Sequence, residues 1–201
     1  MNIIICGVGG NGVILTTKIL AEAAMKEGFE VRIGASHGLA IRGGTVVSYL
    51  RIGSDAKGVI LPQRSGDILL AFEPLEALRQ MKLLKDNAKV ILNNQPYVGV
   101  DAHLGLSEYP EVDEIIERLS KTQKLVDIDA TKLAIEAGSS VMTNVVMLGS
   151  LASSQELPIK RDTLLNSVLN MVPPQTIASN KKAFELGEKA YLSAQKLENL
   201  N

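Results

Sequence analysis

"NIIICGVGGNGVILTTK", residues 2–18, decides the architecture of this chain. An apolar run, Asn2 to Cys6, stops at a cluster of glycines, Gly7, Gly9, Gly10 and Gly12, with Asn11 among them. A segment of helical periodicity follows at once. In "GVILTTKILAEAAMKEG", Val13, Leu20 and Ala24 share one face, Lys18, Glu22 and Lys26 another, and Gly28 is the stop. Strand, glycine turn, helix is the opening of a βαβ unit. Glycine lets the backbone turn sharply and approach a phosphate, and the helix aims its free N–H groups at the anion.

The same grammar continues along the chain. "FEVRIG" (29–34) and the alternating "TVVSYLRIG" (45–53) read as strands two and three; "DILLAF" (67–72), "AKVILN" (88–93) and "KLVDID" (124–129) complete six. "PLEALRQMKLL" (74–84) and "PEVDEIIERLS" (110–120) are helices opened by Pro74 and Pro110. From Ala130 the pattern is helical, with segments at 130–138, 141–154, 160–172 and 174–197. The expected fold is a three-layer α/β/α domain. It has a largely parallel central sheet of about six strands over residues 1–129 and C-terminal helices over 130–201, as a single domain.

Composition narrows the function. Hydrophobic residues make up 46% of the chain and aromatics only 3%, with no Trp, so the core is aliphatic, as in parallel sheets covered on both faces. A net charge of −1 offers no broad attraction to nucleic acid or an anionic membrane. No apolar run approaches the roughly 20 residues of a membrane span, and the N-terminus reads as a strand rather than a targeting segment. A cytoplasmic protein is expected. The lone Cys6 cannot hold an iron–sulfur cluster, which needs about four thiolates. With only His37 and His103, no metal site is expected either. Cys6 itself reads as a small buried apolar residue.

Gly7, Gly9 and Gly12 match the dinucleotide pattern GxGxxG, which also requires an acid at the end of strand two to bind the ribose. That strand ends "VRIGASHG" and supplies none, so a nicotinamide or flavin enzyme is disfavoured. A Walker loop is absent, since Thr16 and Thr17 precede Lys18. The turn therefore either holds another phosphate-bearing ligand or serves only close strand–helix packing. "GDI" at Gly66 and "NN" at Asn93 and Asn94 imitate a thiamine-diphosphate motif. Asp67 opens a strand, however, and Ile68 stands where that motif has glycine. The two asparagines end a strand and are expected to line the crevice beside the glycine turn.

"SHGLAIRGGTVV" (36–47) is the second unusual stretch. It joins two strands without a helix and carries His37, Arg42, Gly43 and Gly44. Arg42 is a bidentate donor suited to phosphate or carboxylate. Leaving strand two, this loop is expected near the Gly7–Gly12 turn, the two forming an anion cradle; a plain hairpin with a locally paired arginine is the other reading. His37 reads first as an ordinary loop residue, and as the candidate if a proton is transferred at all.

"GVGGNGV", "HGLAIRGGTVVSYLRIG", "DILLAFEPLEALR" and "TNVVMLGSL", in this order from Met1 to about Ala152, resemble the gamma-type component of 2-oxoacid:ferredoxin oxidoreductases. This is the pyruvate/ketoisovalerate gamma group, with the indolepyruvate beta component nearest. Asn11 stands where the group usually has Gln, and Ile41 where it has Gln before the arginine. The resemblance implies a cofactor-free subunit that completes a coenzyme A site for oxidative decarboxylation of a 2-oxoacid. Thiamine diphosphate and iron–sulfur clusters would lie on a large partner subunit and pass electrons to ferredoxin. It implies no catalytic residue in this chain, inactivity alone, and ligand contacts from Gly7, Gly9, Gly10, Asn11, Gly12, His37, Arg42, Gly43, Gly44 and Asn144. Isolated, such a chain can pair as a homodimer. A stand-alone nucleotide-binding module without its own catalysis is the alternative.

Overall fold

The computed structural model describes residues 1–37, 43–54, 58–99 and 108–198. Among these, six strands form one sheet in the order β2-β3-β1-β4-β5-β6. They are β1 (Asn2–Val8), β2 (Val31–His37), β3 (Thr45–Ile52), β4 (Gly66–Ala71), β5 (Leu84–Asn93) and β6 (Lys124–Ile128). The helices are α1 (Val13–Lys26), α2 (Pro74–Gln80), α3 (Val112–Ser120), α4 (Ala130–Ala137), α5 (Thr143–Ser153), α6 (Arg161–Asn170) and α7 (Ile177–Glu198).

β1 lies between β3 and β4. Its Ile3, Ile4, Ile5 and Cys6 are fully buried, which is why the strand is an unbroken apolar run rather than an alternating one. Ile3 and Ile5 join a core with α1 and α4 to α7 on one face; Ile4 and Cys6 join a second core with α2 and α3 on the other. The three-layer α/β/α arrangement is thus present.

β1 pairs in parallel with β4, β4 with β5, and β5 with β6. β3 is antiparallel to both its neighbours, β1 and β2. The cause is the connection from His37 to Thr45. A parallel return needs about a dozen residues or more, and a shorter link forces a hairpin.

Element boundaries differ from the sequence reading in places. α2 ends at Gln80, one turn early; Met81–Leu83 tighten into a 3-10 turn and β5 already starts at Leu84. Segments read as single helices at 141–154 and 174–197 each begin with a separate 3-10 turn, Ser140–Met142 and Pro174–Thr176. Most consequential is Gly7, expected in the turn. It is a strand residue paired with Val46.

α1 covers one face after β1 and α2 covers the other after β4. The chain reverses its side of the sheet between these neighbours, which leaves a crevice outside their carboxyl ends, the usual ligand position in open α/β sheets.

Candidate functional site

The crevice is built first by small residues. A side chain on Gly7 would put its Cβ 2.9 Å from Cβ of Phe72 and 2.8 Å from Oδ1 of Asn11, so only glycine lets the end of β1 pass beneath the turn. Gly10 (φ 108°) and Gly12 (φ 80°) take up the left-handed backbone that the reversal into α1 requires. Asn11 holds the turn together: its Oδ1 accepts the Val8 N–H at 2.8 Å while its own N–H donates to the Val8 carbonyl at 3.0 Å. The side-chain carbonyl of Asn11 is therefore engaged within the turn.

The second glycine pair sits directly against the first. Gly9 N–H donates to the Gly44 carbonyl at 2.8 Å, and Gly43 N–H donates to the Gly9 carbonyl at 3.3 Å. The two loops the sequence singled out are joined backbone to backbone, and Gly43 (φ 73°) turns the chain at that junction. One consequence narrows the anion reading: the Gly9 amide is engaged, so Gly10, Gly12 and the first turn of α1 hold the remaining donors. α1 has no capping side chain and no acidic residue in its first turn, which leaves its positive end uncompensated. Between this turn and the start of β3 runs a cleft of about 320 Å³ lined by Val8, Gly10, Gly12, Val13, Ile14, Leu15 and Val46. On the other side of Gly10 and Gly12 lies a larger cavity of about 440 Å³, bounded by α1, the segment 139–145 and the segment 171–180. Asn144 enters the site here, its Nδ2 3.5 Å from where a Gly12 Cβ would stand.

Other predicted residues fall differently. His37 is the last residue of β2, paired with Val46. Its side chain and the whole of Arg42 lie outside the described residues. Asn93 does not line the crevice: its amide donates to the Phe72 carbonyl at 3.0 Å and to Thr131 at 3.2 Å, tying β5 to the end of β4 and the start of α4. Asn94 reaches Asp127 at 3.4 Å. Both asparagines are structural, because the strand end is already covered by neighbours that need donors. Cys6 is fully buried, and burial pushes its thiol up, well above the ordinary range. It is a core residue, not a nucleophile.

The structure adds a group the sequence reading passed over. On the α2 side of the junction, a notch of about 280 Å³ is lined by Gly43, Glu73, Glu76, Arg79, Tyr97 and Tyr109, among others. Glu73 caps α2, accepting the Glu76 N–H at 2.8 Å, and also accepts the Tyr97 N–H at 3.3 Å and the Tyr109 hydroxyl. Glu76 accepts from Thr45 Oγ1 at 3.0 Å and from Arg79. Burial raises the pKa of the Glu76 carboxyl, against the lowering influence of Arg79 and Thr45. Glu76 thus ties Thr45, the residue after the glycine junction, to α2, and Glu73 ties Tyr97 and Tyr109 to the start of the same helix. The signal was present as "EPLEALR", an acid before Pro with a second acid three residues on, which resembles a capping box. The carboxylates of Glu73 and Glu76 make this side of the junction unfavourable to an anion.

Comparison with known proteins agrees with this fold. Residues 2–190 match the family described as pyruvate ferredoxin/flavodoxin oxidoreductase. Indolepyruvate oxidoreductase subunit IorB of Thermococcus kodakarensis is 40% identical over 191 residues, which is 94% of this chain and 95% of that protein. The gamma subunit of the keto/oxoacid ferredoxin oxidoreductase of Geobacter sulfurreducens superposes with a TM-score of 0.69 at 23% identity, covering 96% of this chain and 99% of that one. 2-Oxoglutarate:ferredoxin oxidoreductase of Magnetococcus marinus, solved with 2-oxoglutarate, coenzyme A and succinyl-CoA bound, gives 0.71 at 22% identity over 96% of this chain and 31% of that chain. The chain belongs to the pyruvate ferredoxin/flavodoxin oxidoreductase family, as a gamma-type subunit of a 2-oxoacid:ferredoxin oxidoreductase.

Proposed function

We propose that this chain is the cofactor-free subunit that completes the coenzyme A site and the active-site interface of a 2-oxoacid:ferredoxin oxidoreductase. The 2-oxoacid is of the indolepyruvate, pyruvate or ketoisovalerate type. Thiamine diphosphate and the iron–sulfur clusters belong to a large cytoplasmic partner subunit, and ferredoxin is reached through that partner. The observation that carries this reading is the backbone junction between Gly9 and Gly43–Gly44, which sets two glycine turns beside the uncapped start of α1.

The residues present suit a phosphate-bearing coenzyme. The cleft walls at Gly10 and Gly12 have no side chains to keep a phosphate away from the backbone, and the α1 terminus supplies oriented N–H groups. Arg42, just before this junction in sequence, would neutralise phosphate charge. Asn11 and the Glu73–Glu76 pair act at one remove, holding the turns in register. When bound, the coenzyme supplies the thiol to which the acyl group passes. The contribution of this chain is to fix that thiol in position, an entropic gain rather than proton transfer. Its buried Cys6 takes no part.

The chain purified alone should show no turnover with 2-oxoacid, coenzyme A and ferredoxin, and should restore it when the large subunit is added. Arg42→Ala should raise the coenzyme A requirement roughly tenfold to a hundredfold, as expected for one charge-assisted hydrogen bond, while the complex still assembles. Failure to assemble would make Arg42 an interface residue. Tight binding of AMP, ATP or NAD by the chain with no partner would favour a stand-alone nucleotide-binding module instead.

A further inference from the structure

We propose that the 280 Å³ notch on the α2 side of the glycine junction receives an arginine side chain of the large partner subunit. The notch itself calls for a cation. That the cation comes from the partner rests on the reading above, in which the glycine junction lies at the active-site interface.

The first observation is an orphaned atom. Glu76 lines the notch and is 2% exposed, and one of its carboxyl oxygens accepts from Thr45 and Arg79. The other, Oε2, is shielded from water and meets no donor among the described residues. Its neighbour Glu73 differs, with both oxygens in use: Oε2 by the Glu76 N–H, Oε1 by the Tyr97 N–H and the Tyr109 hydroxyl. A buried carboxylate oxygen without a donor costs stability, and native structures keep such groups where something else satisfies them. The side chain of Arg79 is half exposed and can shift toward solvent as the incoming group seats.

The second observation is the charge balance. Glu73, Glu76 and Glu108 line the notch against one cation, Arg79. Neither Glu73 nor Glu108 forms an ion pair with a described residue. Glu73 is itself buried and lies near enough to disfavour the charge on Glu76. Buried charge of one sign is costly until a counter-charge arrives. Among the described residues the acids are not grouped to hold a metal ion, so an organic cation fits better. The walls also include Tyr109 and Tyr97, the latter 46% exposed. A guanidinium stacks on aromatic faces and sheds water more readily than an ammonium, which favours arginine over lysine. Arginine and tyrosine are also the side chains that most often anchor protein interfaces.

The test is amide NMR on the full chain, titrated at constant ionic strength with butylguanidinium, butylurea and magnesium, followed by titration of the chain into its large subunit. Butylguanidinium should shift the amides of Gly43, Glu76 and Tyr97 saturably, with butylurea at least tenfold weaker and magnesium leaving them unmoved. Glu76→Gln and Glu108→Gln should each cut that response, and each should weaken assembly with the large subunit at least tenfold while the spectrum stays folded. Glu108 is exposed, so its variant carries the test should the Glu76 variant unfold. Equal binding of the cation and the urea, magnesium acting on the same amides, or undiminished assembly of the folded variants would overturn the proposal. So would shifts that appear only in Arg42→Ala, because an arginine of this chain would then already fill the notch. Undiminished assembly with coenzyme A-dependent turnover intact would leave the coenzyme reading standing. Turnover independent of coenzyme A, in a complex that both variants weaken, would sink the coenzyme reading alone.

Discussion

Glu76 shows how a single side chain can serve a neighbouring loop rather than chemistry. It is 2% exposed, and one carboxyl oxygen takes both Thr45 and Arg79 while the other has no partner. Burial dominates and raises its pKa, so the folded state holds its proton more tightly than the unfolded chain does. Stability from this group is complete below its unfolded pKa and is lost as pH rises through the higher folded value. Glu76→Gln should therefore remove that part of the decline in melting temperature as pH is raised from about 4.5 upward. Parallel melting profiles for the two proteins across that range would refute the assignment. Cys6 carries the opposite lesson. Its isolation in the sequence already pointed to a core residue, and its burial between β3 and β4 explains why no reactivity should be expected of it.

At the scale of elements, the contact between α5 and α7 depends on two glycines. A Cβ at Gly149 would lie 2.0 Å from the Phe184 carbonyl oxygen, and one at Gly187 2.0 Å from that of Val146. The helices thus meet backbone to backbone, and Ser150 Oγ donates across the seam to the Gly187 carbonyl at 2.9 Å. Gly149→Ala cannot be absorbed by a rotamer change, because the obstacle is main chain. It should lower the urea unfolding free energy by about 1–3 kcal/mol or more. An unchanged midpoint would mean that the seam is looser than described. This seam matters to the site because α5 carries Asn144 and α7 carries Asn180, both on the larger cavity.

For the molecule as a whole, the C-terminal helices belong to the core. α7 places Ala183, Phe184 and Tyr191, all fully buried, in the same cluster as Ile3 and Ile5 of β1. Removing residues 177–198 should leave a chain that aggregates or elutes expanded in gel filtration, without a cooperative melt. A sharp transition in the shortened chain would show that the sheet and α1 stand without them. Within the described residues no helix is long and apolar enough to cross a membrane. A net charge of −1 leaves local fields to decide where ligands approach. Those fields differ across the crevice, with helix N-termini on the α1 side and carboxylates on the α2 side.

The sequence by itself determined the strand–turn–helix opening, the six strands, the paired glycine turns and the family, because each is written in local spacing: period two or 3.6, glycines where the chain must bend, residues in motif order. It also contained the antiparallel β3, since the link from His37 to Thr45 is too short for a parallel return. Only the tertiary structure decided that Gly7 is a strand residue beneath Phe72, that Asn93 is bound to β4 and α4, and that Glu76 ties Thr45, beside the glycine junction, to α2. Likewise it alone showed that Asn144 lines a cavity beside the glycine turn. Each of these depends on which distant atoms arrive within bonding distance. Hydrogen-bond partners dozens of residues apart leave no periodic trace in the chain, so folding has to bring them together before their roles can be read.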